Sequence, residues 1–157
     1  MGRFPGAAEL ASFLGRRPAP LAWARAGEDL AAGLLDGLAV RESGEWDFTP
    51  WDEIDHGGWD GETLSWRAGD GRPRGLALTA PGRLPELFGE RVEASILGRW
   101  PARWDGGVAT VVLRRNPGRA DAGAHWRVVA APGVAVDAPA ARQAIAAAMR
   151  AVDWDIG

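Results

Sequence analysis

Between residues 21 and 79 the apolar side chains recur at every second position, and the gaps between these runs hold glycine-bearing turn sequences. A period of two lines one face of a β-strand, so the alternation commits this stretch to antiparallel sheet before composition is considered. Leu21 with Trp23, then Leu30, Ala32 and Leu34, then Leu38 and Val40, then Trp46 and Phe48 make four short runs. The intervening Ala26-Gly27-Glu28-Asp29, Asp36-Gly37 and Ser43-Gly44 supply the positive φ that tight hairpins demand. Pro50 lacks the amide hydrogen a central strand needs and ends the ladder. Pairing then resumes in strands over 55–59, 62–67 (Leu64 and Trp66 on one face) and 75–79 (Leu76 and Leu78), linked by Asp60-Gly61 and Asp70-Gly71-Arg72-Pro73. Seven strands are expected.

Helical spacing appears at three places. Ala8, Leu10, Ala11, Phe13 and Leu14 predict a short N-terminal helix ending at Gly15. After Pro81-Gly82, a stripe of Leu84, Leu87, Phe88, Val92 and Ile96 lies opposite Glu86, Glu90 and Glu93, with Pro85 suited to the first turn. Asp137 reads as the N-cap of a final helix whose Ala141, Ile145, Ala148, Met149 and Val152 share a face. Before it, strands over 108–114 and 125–131 form a hairpin around the loop 116–123, and the Trp100-Pro101 to Trp104 stretch reads as a connection. With 157 residues, one domain is expected: helix and linker over 1–20, a core over 21–99, and a hairpin-plus-helix extension over 100–157.

Composition narrows the chemistry. Hydrophobic residues at 46% and charged residues at 25% belong to a folding chain. All 18 cationic residues are arginine and tyrosine is absent, the codon bias of a GC-rich genome. The absence of cysteine excludes disulfides, thiolate nucleophiles and cysteine metal sites. A net charge of −3 gives no general attraction to nucleic acid. No run approaches a membrane span or a signal-peptide core, so a cytoplasmic location is expected.

Seven antiparallel strands followed by an amphipathic helix resemble, in their order, a pleckstrin-homology-like domain. Pro50-Trp51-Asp52-Glu53-Ile54 is similar to a "P-W-x-x-I" strand opening that recurs in bacterial proteins of that class. Leu21-Ala22-Trp23-Ala24, Trp59-Asp60, and Pro81-Gly82-Arg83-Leu84-Pro85-Glu86-Leu87 with Glu90-Arg91-Val92-Glu93-Ala94-Ser95-Ile96 resemble an uncharacterised actinobacterial family of about this length. The resemblance implies an α+β fold: a pleckstrin-homology-like antiparallel β-sandwich or barrel of about seven strands with a capping helix, extended by a β-hairpin and a C-terminal helix. Phosphoinositide-binding members carry basic residues in the first hairpin loop, where this chain has Glu28 and Asp29, which repel a phosphorylated headgroup.

Nine tryptophans stand out. Trp23, Trp46, Trp66 and Trp126 alternate with aliphatic neighbours and are expected in cores. Trp100 and Trp104 flank Pro101 among arginines, a composition typical of binding hot spots. Asp52, Glu53, Asp55, His56, Asp60 and Glu62 form the densest titratable group, but without metal-binding spacing, and a solvated edge is expected of it. Ser43, Ser65 and Ser95 lie outside any nucleophile elbow. Charge is uneven: 42–70 carries nine acids against Arg67, while 72–127 carries ten arginines against five acids. These features point to a non-catalytic protein-interaction module without a cofactor, contacting another protein through Arg99, Trp100, Arg103, Trp104, Arg114 and Arg115. The alternatives are peripheral binding to anionic lipid through the arginines of the second half, and an enzyme site among residues 52–62.

Overall fold

Ala7–Leu14 forms the first helix, α1, and stops where Gly15 turns left-handed (φ 70°) and its N–H closes on the Ala11 carbonyl at 2.9 Å. The computed structural model describes residues 2–69, 71–119 and 121–152, so Asp70 and Trp154 lie outside the described residues. The chain divides into two compact units, Met1–Ser95 with Asn116–Ala122, and Ile96–Arg115 with Gly123–Gly157.

In the first unit, β1 (Ala22–Ala26), β2 (Asp29–Gly33), β3 (Gly37–Glu42) and β4 (Glu45–Pro50) pair antiparallel in sequence order. The β3–β4 turn uses Ser43 and Gly44, both at positive φ, matching the right-handed twist of the flanking strands. Pro50 then ends the sheet, and a single 3₁₀ turn, Trp51–Glu53, leads into a second meander of β5 (Ile54–Trp59), β6 (Thr63–Ala68) and β7 (Pro73–Ala77). Helix α2 (Leu84–Ala94) follows. The sheets do not close into a barrel among the described residues: β4 and β5 do not pair with each other, and past β7 the chain meets β1 at an isolated Arg25–Ala80 bridge with Thr79 bonded beside it.

Alternation gives the four-stranded sheet two different faces. Leu30, Ala32, Leu34 and Ala39 pack under Phe4, Leu10 and Leu14, with Trp23, Trp46 and Phe48 at the margin. The opposite face offers Ala22, Ala24, Ala31, Leu38 and Val40 to Trp51, Ile54, Leu64, Trp66, Leu84 and Phe88. Small residues on that face admit α2 closely: a Cβ at Gly33 would stand 2.5 Å from a Leu87 methyl.

The second unit differs from the expected hairpin. Residues read as the end of a helix and a connection form a nine-residue strand, β8 (Ile96–Trp104), which pairs with β9 (Gly107–Arg114), which pairs with β10 (His125–Val129). β8 lies at the sheet edge, where Pro101 needs no partner for its missing N–H. Ile96, expected on the α2 stripe, instead opens β8, because α2 stops at Ser95, whose Oγ donates to the Val92 carbonyl at 2.5 Å and whose N–H donates to Arg91 at 3.1 Å. Helix α3 (Pro139–Val152) covers one face of this sheet, with Ile145, Ala144, Ala148 and Met149 over Ala102, Val111, Trp100 and Trp126.

Candidate functional site

The residues expected to contact a partner fall on β8, at the end of β9 and just beyond it, but alternation separates them. Trp100 points to the α3 side, where it meets Trp126 edge-on at 5.8 Å and lies over Gly98. Trp104 shares that parity, half-buried and packed beside Gly107. Arg99 and Arg103 take the opposite parity and are exposed, with Pro101 between them. Arg115 is exposed beyond β9, whereas Arg114 is 2% exposed. The arginines and tryptophans of β8 therefore occupy two faces of one strand.

Charge separates by unit. The first holds eleven arginines against seventeen acids, and the second seven arginines against four acids. Much of the acidity of the first unit is engaged locally. Asp47 and Glu42 pair with Arg74 at 2.6 and 3.4 Å, and the Asp47 hydrogen bond, with Glu42 beside it, raises the Arg74 pKa. Asp29, which opens β2 just past the first hairpin turn, accepts the Ser43 N–H at 3.0 Å and so ties two hairpins together.

The Asp/Glu/His group of residues 52–62 disperses. Asp52 and Glu53 sit in the 3₁₀ turn, and His56 is exposed on β5. Asp60 caps the β5–β6 turn, accepting the N–H of Thr63 at 2.6 Å and of Glu62 at 2.8 Å, which hold its carboxyl below the usual carboxylate range. Among the described residues no three His, Asp or Glu side chains are placed to hold a metal ion, and no helix is long and apolar enough to cross a membrane.

Two arrangements in the first unit carried no sequence signal. Asp36, read as turn chemistry, is buried; Arg16 donates to both its carboxylate oxygens at 2.9 Å, and Arg119 pairs with it at 3.3 Å. Its backbone carbonyl accepts Trp51 N–H at 3.2 Å and the Asn116 side-chain amide at 2.8 Å. Asp36→Asn should cost about 1–2 kcal/mol, less than a fully buried ion pair because both arginines reach solvent. A lower denaturant midpoint at unchanged m-value would show it; a wild-type midpoint would mean that the carboxylate charge holds nothing.

The second arrangement is a trough of about 350 Å³ on β5–β6–β7, reached by His56, Ser65 and Arg67. The sequence hid it because its members come from three strands and its floor is glycine. Comparison with family models, with curated proteins and with solved structures returns no match to this chain.

Proposed function

We propose that the chain is a protein-interaction module whose first unit is a pleckstrin-homology-like sandwich and whose second unit docks onto an acidic surface of another protein. The fold assignment is supported by the order of elements: four strands, a break at Pro50, three strands, then α2 sealed between the sheets by Leu84 and Phe88. The docking assignment is carried by one observation, the excess of arginine in the second unit of a chain that is acidic as a whole. Arg99 and Arg103 stand on the outward row of β8, four residues or roughly 13 Å apart. An exposed pair of this kind steers an acidic partner and sets the salt dependence of its binding.

The test is purification of the tagged chain from the cells that make it, beside an Arg99→Glu, Arg103→Glu double variant. A stoichiometric protein should accompany the wild type at low salt, leave as salt rises, and bind the double variant about tenfold more weakly. Recovery of no stoichiometric protein, or equal recovery with both chains, would remove the reading. Sedimentation of the chain with anionic vesicles in place of a protein partner would favour lipid as the acidic surface.

A further inference from the structure

On β6, Leu64 and Trp66 are buried while Ser65 and Arg67 face outward, so the sheet β5–β6–β7 has a second face turned away from the core. The register sets two rows across that face. His56, Arg67 and Pro73 stand side by side, and next to them Gly58, Ser65 and Gly75. A Cβ at Gly58 would find nothing within 4 Å, and one at Gly75 only ordinary contacts, so the second row is a floor without side-chain bulk. In the first row His56 and Arg67 supply hydrogen-bond donors beside it. His56, Arg67 and Pro73 with Gly58 and Ser65 line the 350 Å³ trough, a volume within the range of small-molecule sites, and Gly75 continues the second row beside it.

Among the described residues the lining contains no carboxylate. Arg74 reaches it already paired with Asp47 and Glu42, so that among the described residues Arg67 is the lining arginine with no carboxylate partner. Arg67 donates Nη1 to the Gly71 carbonyl at 2.9 Å, an anchor that holds the guanidinium at the trough's edge. An arginine presents five N–H donors in a planar fork matched to carboxylate or phosphate oxygens. We propose that this trough binds a small organic anion, a carboxylate or phosphate ester on a flat body. The oxyanion sits on Arg67 and His56, and the flat body lies on the Gly58–Ser65–Gly75 floor. This site belongs to the first unit and is independent of the docking surface proposed above.

The test uses phenyl phosphate and benzoate as probes, with benzamide as the neutral match, followed by the backbone amide resonances of the intact chain. Either anion should shift Gly58, Ser65 and Gly75 saturably, and benzamide should not. Arg67→Gln should weaken binding about tenfold or more, as loss of a charge-assisted fork does. Gly58→Val should abolish binding by filling the trough, and because that position is open and Arg67 is exposed both variants should melt with the wild type. Vesicles containing phosphatidate give the same chemistry from a lipid: sedimentation with them that depends on Arg67 assigns the anion to a headgroup, and response to the soluble probes alone assigns it to a free molecule. No saturable shift up to about 10 mM probe, together with no Arg67-dependent sedimentation, overturns the proposal. Equal shifts with benzamide, or shifts unaltered in both variants, overturn it as well.

Discussion

Truncation of Phe88 to alanine should cost about 3–5 kcal/mol, the range for large aromatic deletions in a core. Phe88 is 3% exposed, meets Trp51 edge-on at 6.0 Å, and packs directly against Gly57, where any Cβ would collide with its ring. The substitution therefore empties the point at which α2, the 3₁₀ turn and β5 converge. Against a typical stability of about 5–15 kcal/mol, such a loss leaves a marginal protein. Glu90→Ala, on the exposed side of the same helix, should change stability by less than about 0.5 kcal/mol. Denaturant melts of the two variants decide it; comparable losses would place the buried face of α2 elsewhere.

Trp51→Ala should be as costly, about 3–5 kcal/mol, because the indole is fully buried. The more informative variant is Trp51→Phe. It keeps most of the apolar volume but removes the Nε1–H that donates to the Leu34 carbonyl at 2.9 Å, leaving a buried acceptor unpaired at a cost of about 1–3 kcal/mol. Since Trp51 and Phe88 touch, the double truncation should lose less than the sum of the singles. A strictly additive cycle would mean that the two rings do not share one packing site.

The periodicity exposed most of the first unit, and the reason is local. Hairpins joined by two to four residues put each strand beside its sequence neighbour, so alternation and glycine turns suffice to place β1 to β4 and β5 to β7. β8 was missed although Ile96, Gly98, Trp100, Ala102 and Trp104 alternate correctly. The stretch around Pro101 read as a connection, and only the edge position of β8, which no short window reveals, makes a proline acceptable in a strand there. The partner residues on β8 were legible as a composition of arginine and tryptophan but not as a surface, because that composition says nothing of parity. Trp100 accordingly proved to be part of the packing under α3. The Asp36 cluster and the trough arise from residues brought together by tertiary structure: Arg119 is 83 positions from Asp36, and the trough spans three strands.

The return of Asn116–Ala122 to the first unit has a consequence for the order in which the protein is made. By the time Ser95 leaves the ribosome all seven strands and α2 of that unit have been synthesised, yet Asp36 has only Arg16 as its counter-ion. Arg119 and the Asn116 amide arrive more than twenty residues later, after β8 and β9. The nascent first unit thus passes through an interval in which buried Asp36 has one of its two arginines and lacks the Asn116 amide on its carbonyl, and a chain released at Ser95 would remain in that state. Domains usually finish in order from the N-terminus; here the first unit is completed only by a piece of chain that follows most of the second unit's sheet.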